Sequence, residues 1–380
     1  MSIEFANQKD KLQVIDLWHY CFDDDESFVK YYFEEKYALD YNLVSKDNGE
    51  VVSSLMLNPY KLSVNNTVTD ASYIVGVSTL ANRRGEGRVT KLIKYALKHE
   101  INLGRVFSLL MAIDSKIYTR YGFTNIFDMF SVALPFDRID VKSPKNVRII
   151  RAKIENFEEL ADFYNSVMSD KFSYIKRDKK YFTQRNKELE LDNLAIYLAY
   201  IEDRLEGYMI FSPRFGNGKN AFVKEIYANS AEVYDAFFAM IKSHYTQTNS
   251  VVLHDMSNGF LKNYLVSDNK VSYKLEPFMM VRILDVQKAI EILDIDEDVT
   301  IEIKDSIIEE NNKTFSLSKK SLNNENADMT LDISDFTLLY FGQIEIKDLL
   351  KLRNININKN KLKVLEKIFQ RKENFFNDYV

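Results

Sequence analysis

Apolar positions recur at helical spacing in the segment RVTKLIKYALKHE, residues 88–100. They fall at i, i+3, i+4, i+7 and i+8, and the residues are Val89, Leu92, Ile93, Ala96 and Leu97. This spacing places them on one face and predicts an amphipathic helix. An apolar run precedes that helix at 72–79, SYIVGVST, and another follows it at 105–113, RVFSLLMAI. Both runs predict strands.

The N-terminal region adds a helix and a hairpin to this pattern. Apolar residues keep helical spacing in LQVIDLWHYCF, residues 12–22. The segment 40–64 is typical of two strands joined at KDNGE, because Asn-Gly favours a type I′ turn. Residues 115–123, SKIYTRYGF, predict a short helix with Gly122 at its C-terminal end.

The rest of the chain predicts two further blocks. From Val147 a strand and helix repeat the N-terminal pattern, and three meandering strands follow, with a hairpin turn at GNGK, 216–219. From Leu284 a helix precedes alternating strands at 299–305 and 313–320, then a strand and helix start in ADMTLDISDFTLLYFG. A last helix, within 362–376, is predicted to anchor the tail. We therefore predict an α/β (α+β) chain of three domains, 1–146, 147–284 and 285–380.

Composition excludes several classes of protein. The chain has 380 residues, 46% of them apolar and 28% charged, which suits a soluble globular protein of two or three domains. A net charge of −5 does not indicate a nucleic-acid partner. One cysteine and four histidines argue against disulfides and against a Cys/His metal site. The N-terminus lacks a signal-peptide pattern and no apolar run has membrane-spanning length, so we expect a cytoplasmic protein without a membrane partner.

The candidate chemistry lies in the loop RRGEGR, which joins the strand at 72–79 to the helix at 88–100. A strand-to-helix turn rich in glycine and arginine is typical of an anion site, because a helix N-terminus exposes unpaired N–H groups. The Walker A pattern is absent, and the Rossmann pattern lacks its third glycine. The pattern R/Q-x-x-G-x-[G/A], which binds the pyrophosphate of coenzyme A, fits residues 84–89 with Val89 in the last small position. A solvated basic turn remains the alternative.

Further segments carry a family resemblance. IYTRYGF follows the strand at 105–113, and PFMMVRILDVQKAI, ADMTLDISDFTLLYFG and FFNDYV lie further along. With GVSTLANRRGEGRV they resemble the Eis (enhanced intracellular survival) family of N-acetyltransferases over essentially the whole chain. The resemblance implies tandem GNAT folds with mixed central sheets. The first is catalytic, the second lacks a coenzyme site, and a sterol carrier protein 2-like α+β domain follows. It also implies acetyl-CoA as co-substrate, no metal and a homo-oligomer, a hexamer by analogy.

The resemblance also implies roles for individual residues. Backbone groups of the strand end hold the pantetheine arm, and these are Val77, Ser78 and Thr79. The pyrophosphate is surrounded by Arg84, Gly85, Gly87, Arg88 and Val89. Tyr118 is the general acid, and the terminal carboxylate, here on Val380, is a candidate base. The family tail usually ends in an aromatic residue, so Val380 is a departure.

The acceptor side is defined less sharply by the residues. Four acids, Asp23, Asp24, Asp25 and Glu26, follow the first helix, where carboxylates oppose its dipole. They suit a cationic acceptor, or else form a solvated turn. Phe33 and Tyr37 lie at i, i+4 and either wall an amine pocket or belong to the core. The resemblance implies an aminoglycoside-like or lysine-type amine.

Two functions follow from the sequence. The first is an acetyl-CoA-dependent N-acetyltransferase in which a primary amine attacks the thioester directly. A tyrosine with an ordinary pKa near roughly 10 can donate a proton to the departing sulfur. The backbone N–H of Val77 can polarise the carbonyl. The alternative is a catalytically silent scaffold that binds a lipid in its C-terminal domain. Intact Arg84, Gly87 and Tyr118 favour the enzyme.

Overall fold

A computed structural model of the chain describes residues 2–215, 220–256, 260–265, 268–318 and 327–378. Its strands are β1 Ser2–Phe5, β2 Asn42–Asp47, β3 Glu50–Val64, β4 Thr67–Thr79, β5 Phe107–Leu110, β6 Thr124–Pro135, β7 Val147–Arg151, β8 Ser173–Ile175, β9 Ala195–Ile201, β10 Arg204–Phe215, β11 Asn220–Ala228, β12 Ser250–His254, β13 Ser272–Ile283, β14 Thr300–Lys304, β15 Thr314–Ser316, β16 Met329–Asp332 and β17 Asn374–Phe375. Its α-helices are α1 Lys11–Cys21, α2 Glu26–Tyr31, α3 Arg88–Asn102, α4 Lys116–Thr119, α5 Phe157–Met168, α6 Lys179–Leu191, α7 Ala231–Lys242, α8 Phe260–Tyr264, α9 Val286–Leu293, α10 Ile333–Tyr340, α11 Ile346–Leu352 and α12 Leu362–Ile368. A π-helical turn, Tyr32–Lys36, continues α2.

The chain divides into two compact units. The first contains the residues up to Phe127, the short segment Asp170–Lys176 and the residues from Phe278 onward. The second contains Asp128–Ser169 and Arg177–Pro277. The predicted loop, the predicted acid and the C-terminal sheet therefore belong to one unit.

A mixed sheet forms the centre of the first unit, in the order β1-β2-β3-β4-β5-β13. Strands β4 and β5 are parallel, and the other neighbours in this order are antiparallel. The turn between β2 and β3 has Asn48 and Gly49 at φ +51° and +90°, as a type I′ turn requires. The hairpin predicted from KDNGE is thereby confirmed.

Helix α3 packs its predicted apolar face onto this sheet. Leu92, Ile93, Ala96 and Leu97 are fully buried, and they share a core with Leu43, Leu55 and Ile74 of the strands. Val89, in the first turn, is only partly buried against the same core. The amphipathic helix predicted at 88–100 is confirmed, and its partly exposed first turn remains accessible.

The C-terminal part of the first unit has its own sheet, in the order β15-β14-β16. The carboxylate of Asp285 accepts a hydrogen bond from the N–H of Lys288 at 3.0 Å and so caps α9. The helix predicted within 362–376 ends at Ile368, because residues 370–374 are polar and offer no apolar face to continue it. The chain then extends and pairs β17 with β8. The tail is therefore anchored by a strand as well as a helix.

The second unit contains a sheet in the order β6-β12-β11-β10-β9-β7. The three strands predicted in this region are confirmed as β9, β10 and β11, while the predicted GNGK turn lies outside the described residues. Helix α7 covers one face and is capped by the hydroxyl of Ser230. The guanidinium of Arg177 forms a buried, bidentate ion pair with Glu225 at 2.8 and 2.9 Å.

Two properties of the described residues concern membranes and metals. None of their helices has the length and apolar character needed to cross a membrane. They also contain no group of three or more His, Cys, Asp or Glu side chains arranged to hold a metal ion.

Candidate active site

The basic glycine loop lies between the end of β4 and the start of α3. Gly85 and Gly87 have φ of +83° and +73°, a region that favours glycine, and a Cβ at either would meet no atom within 4 Å. The first hydrogen bond within α3 runs from the N–H of Lys91 to the carbonyl of Gly87 at 3.1 Å. The N–H groups before Lys91 therefore have no acceptor within the helix. Loop and helix together form an open backbone cradle of the kind that binds anions.

The three arginines of this loop differ in their partners. Arg88 is buried, with its guanidinium 2.7 Å from Glu86 and 3.4 Å from Asp47. Arg83 pairs with the same two carboxylates. Arg84 is exposed, donates from Nε to the carbonyl of Thr79 at 3.2 Å, and forms no ion pair with any described residue. The cradle thus retains one arginine whose charge is not already balanced.

Strand β4 carries a bulge just before this loop. Ser54 pairs with Ser78 and Met56 with Val75, so Gly76 and Val77 together lie opposite one residue of β3. Gly76 has φ +61°, in the left-handed region. The bulge turns the backbone of Val77 out of the regular ladder.

The strands β4 and β5 separate next to the bulge. Their parallel pairing ends at Ile74 with Leu110, so β5 is shorter than the strand predicted at 105–113. Beyond this point the edge of β4 that faces β5 has no ladder partner in the described chain. Ser78 and Thr79, further along the same strand, are buried. An extended ligand can therefore reach the backbone of β4 here and pair with it as a strand.

Tyr118 lies in the short helix α4 and packs against the core that also contacts Val77 and Val89. Burial raises the pKa of its hydroxyl to about 12. The hydroxyls of Tyr121 and Thr90 lie 2.8 Å apart and join this segment to the first turn of α3. The predicted acid, the bulge and the helix start thus share one hydrophobic cluster.

The four acids at 23–26 are all exposed. Asp24 accepts a hydrogen bond from the indole N–H of Trp18 at 2.9 Å, and Glu26 lies 3.7 Å from the imidazole of His19. The view that all four oppose the dipole of α1 is wrong for Asp25 and Glu26. They occupy the N-cap and first position of α2, where negative charge is favourable.

The two predicted aromatic residues occupy different surroundings. Phe33 is buried, and its ring lies 5.6 Å from that of Trp18 and 5.0 Å from that of Tyr37, which favours the core alternative. Tyr37 is half-buried and donates its hydroxyl hydrogen bond to Asn42 at 3.0 Å. Burial raises the pKa of Tyr37 to about 12. A contact of either with an amine stays a prediction.

The candidate base on Val380 lies outside the described residues, as does Tyr379. The residues just before them are buried: Phe375 and Phe376 pack their rings 5.9 and 6.0 Å from that of Phe127. Phe127 belongs to β6, which follows the segment of Tyr118.

Family comparisons agree with this geometry. A model of an acetyltransferase (GNAT) domain matches residues 2–126, and a second such model matches residues 173–283. The chain is a GNAT acetyltransferase. A sterol carrier protein domain model matches residues 286–377. The three matches follow the order of domains that the Eis resemblance implies, and they confirm this resemblance. No curated protein matches the sequence.

Solved structures share the fold of this GNAT acetyltransferase along its whole length. A GCN5-related N-acetyltransferase from Anabaena variabilis is 19% identical with a TM-score of 0.86, and each chain is covered completely. A probable N-acyltransferase from Enterococcus faecalis is 18% identical with a TM-score of 0.86, over 100% of this chain and 99% of that one. Eis1 from Mycobacterium abscessus is 15% identical with a TM-score of 0.77, again over both entire chains.

Sequence reasoning missed two residues that shape the site of this GNAT acetyltransferase. Trp18 packs against the bulge, and Arg282, from β13, donates to the backbone carbonyl of Tyr121. Gly76 was the available signal for the first, because a glycine within a strand marks a bulge or a close approach. The contact of Arg282 has no local signal, since 161 residues separate the partners.

Proposed function

We propose that the N-terminal GNAT domain transfers the acetyl group of acetyl-CoA to a primary amine. The observation that carries this proposal is the juxtaposition of two backbone features on one sheet. The edge of β4 that faces β5 has no ladder partner among the described residues from Val75 onward, and an open glycine cradle follows at the start of α3. Tyr118 packs against the core beneath both.

The residues present suit acetyl-CoA. Its pantetheine arm would pair with the β4 edge, through the backbone groups of Val77, Ser78 and Thr79. Its pyrophosphate would lie in the cradle formed by Arg84, Gly85, Gly87, Arg88 and Val89. Arg84 offers its unbalanced charge, whereas Arg88 contributes through its N–H, because Glu86 and Asp47 already neutralise its side chain.

Bound acetyl-CoA supplies a thioester, and transfer forms a C–N bond to the amine, breaks the C–S bond and leaves a proton on sulfur. Tyr118 keeps its hydroxyl proton at neutral pH, since burial raises its pKa to about 12, so it can act as the general acid. The N–H of Val77, at the bulge, would polarise the acyl oxygen. The carboxylate of Val380 remains the candidate base.

The acceptor is proposed to be cationic, an aminoglycoside or a lysine side chain. Asp23, Asp24, Asp25 and Glu26 expose four carboxylates within four residues, which attract an ammonium group. Phe33 and Tyr37 are also proposed to pack against the acceptor. The division into domains 1–146, 147–284 and 285–380 and the homo-oligomer also stay predictions.

Calorimetry and product analysis test the proposal. Acetyl-CoA should bind once per chain. With kanamycin or a lysine peptide, released thiol should match acetylated amine found by mass spectrometry. The charge-neutral variant Asp23→Asn/Asp25→Asn/Glu26→Gln should raise the KM for kanamycin more than it lowers kcat. Absence of acetyl-CoA binding, two sites per chain, or thiol release without acetylated amine would contradict the proposal.

A further inference from the structure

Trp18 is the only tryptophan of the chain, and it is buried against the bulge of β4. A Cβ built on Gly76 would lie 2.6 Å from Cζ3 and 3.1 Å from Cε3 of the indole. Such contacts are too short for a real side chain, so the ring rests directly on the backbone of Gly76. The position therefore requires glycine both for this contact and for its φ of +61°.

The opposite end of the same indole ring reaches the acidic segment, residues 23–26. Its N–H donates to Oδ2 of Asp24 at 2.9 Å. The width of one indole thus separates Gly76, next to Val77, from the carboxylate of Asp24. The rings of Tyr32 and Phe22, centred 4.9 and 5.0 Å away, hold the indole in this orientation.

We infer that Trp18 is a positioning residue for acetyl transfer. It sets the backbone of the bulge through Gly76 and couples that bulge to the acidic segment through Asp24. This inference rests on the proposed function. It assigns Asp24 a second task besides its charge, namely orienting the indole that supports the N–H of Val77.

Substitutions at Asp24 separate orientation from charge. Asp24→Asn keeps an oxygen that accepts the indole hydrogen bond but loses the charge, whereas Asp24→Ala loses both. Asp24 is exposed, so neither change should disturb the core. Asp24→Ala should lower kcat for kanamycin about tenfold, the effect of a lost charge-assisted hydrogen bond, and leave the affinity for acetyl-CoA unchanged. Asp24→Asn should recover most of kcat while raising the KM for kanamycin.

Trp18→Phe should lower kcat at least as far as Asp24→Ala does, and the double variant Trp18→Phe/Asp24→Ala should be no worse than the poorer single variant. The control Asp16→Ala removes an exposed carboxylate from the same helix α1 and should retain wild-type kinetics. Equal kcat values for Asp24→Asn and Asp24→Ala, or wild-type kcat in Trp18→Phe, would overturn the inference.

Fluorescence supplies a readout that does not depend on turnover. Because Trp18 is the sole indole, its emission should shift when acetyl-CoA saturates the wild-type protein and when kanamycin does, and Asp24→Ala should lose the kanamycin response. If the emission shifts with acetyl-CoA but the protein transfers no acetyl group, the proposed function is contradicted. The contact between Trp18 and the bulge is still supported in that case. Emission that ignores both ligands in an active enzyme would overturn the inference alone.

Discussion

Arg282 and Asp305 form a fully buried ion pair in which one guanidinium nitrogen lies 2.6 Å from both carboxylate oxygens. Arg282 also donates to the carbonyl of Tyr121, next to Gly122. Asp305 accepts from the N–H of Ile308 at 3.0 Å. The pair therefore links β13 and the segment after Tyr118 to the loop that follows β14.

Asp305→Ala should lower the free energy of unfolding by about 3–5 kcal/mol, because it leaves a buried guanidinium without its counter-charge. Chemical denaturation measures this. Asp298→Ala, which removes an exposed partner of Lys361, should cost less than about 1 kcal/mol. The double change Arg282→Met/Asp305→Leu should recover only part of this loss, because it removes the unpaired charge but leaves the N–H of Ile308 and the carbonyl of Tyr121 without these partners. A loss below about 1 kcal/mol for Asp305→Ala would contradict the role assigned to this pair.

Arg84 and Arg88 should behave differently when each is replaced by alanine. Arg84→Ala should weaken acetyl-CoA binding about ten- to hundredfold, as expected for one charge-assisted hydrogen bond, with an unchanged melting temperature. Arg88→Ala should instead lower the melting temperature, because Glu86 and Asp47 lose a buried partner. Calorimetry and thermal unfolding distinguish the two. Unchanged affinity in Arg84→Ala would remove that side chain from the pyrophosphate site.

Tyr118→Phe should keep the affinity for acetyl-CoA but lower kcat by about 10²–10⁴-fold, the range for a positioned acid. Burial raises the pKa of Tyr118 to about 12, so its proton is retained until the pH approaches that value. The kcat profile should therefore show no alkaline decline from this residue below about pH 11. Tyr121→Phe, a matched loss of hydroxyl on the same segment, should change kcat far less. A decline near pH 9 that disappears in Tyr118→Phe would contradict the raised pKa.

Local chemistry explains what the sequence could predict. The Asn48–Gly49 turn, the apolar face of α3 and the glycine loop each depend on residues close together in the chain, so periodicity and turn preferences identify them. Contacts between distant residues leave no such pattern. Ser173 and Asn374, which form a hydrogen bond, lie 201 residues apart in the sequence. Asn374 belongs to strand β17, in a segment for which the local pattern predicts a helix.

The same distinction applies to the candidate site. A motif identified Gly85, Gly87 and Tyr118, but the partners of Arg88 depend on the carboxylate of Asp47, which the hairpin brings to the loop. The motif alone therefore could not show that the charge of Arg88 is already neutralised by carboxylates whereas the charge of Arg84 is available to a ligand.

Glu100 should make stability depend on pH. Burial raises its pKa to about 7, and the charge of Arg105, whose guanidinium lies 3.3 Å from the Glu100 carboxylate, lowers it less. The folded protein thus favours the protonated carboxyl. This contribution is complete below the unfolded pKa, about 4.3, and is lost as the pH rises through 7. Between pH 5 and 7, Glu100→Gln should reduce the slope of the unfolding free energy by up to about 1.4 kcal/mol per pH unit, while exposed Glu34→Gln should not. An unchanged slope would place the titration elsewhere.

The C-terminal tail offers the last test. Phe375 and Phe376 are buried against Phe127, and the side chain of Asn374 donates to the carbonyl of Phe341 at 2.8 Å. These contacts hold the tail as far as Asp378, so removal of Tyr379 and Val380 should leave the melting temperature and acetyl-CoA affinity nearly unchanged.

Loss of turnover in that truncated chain would then report on the chemistry of the removed residues. An α-carboxyl has an unperturbed pKa of about 3.3–3.7 and is a weak base in water, but partial burial would raise its pKa and strengthen it as a base. We expect kcat for kanamycin to fall about 10²-fold or more, the lower end for a lost acid–base group. Val380→Phe, which keeps a terminal carboxylate and restores the aromatic end of the family, is the matched control and should retain turnover. Full activity in the truncated chain would show that the base lies elsewhere, and the exposed carboxylates at 23–26 would be the next residues to examine.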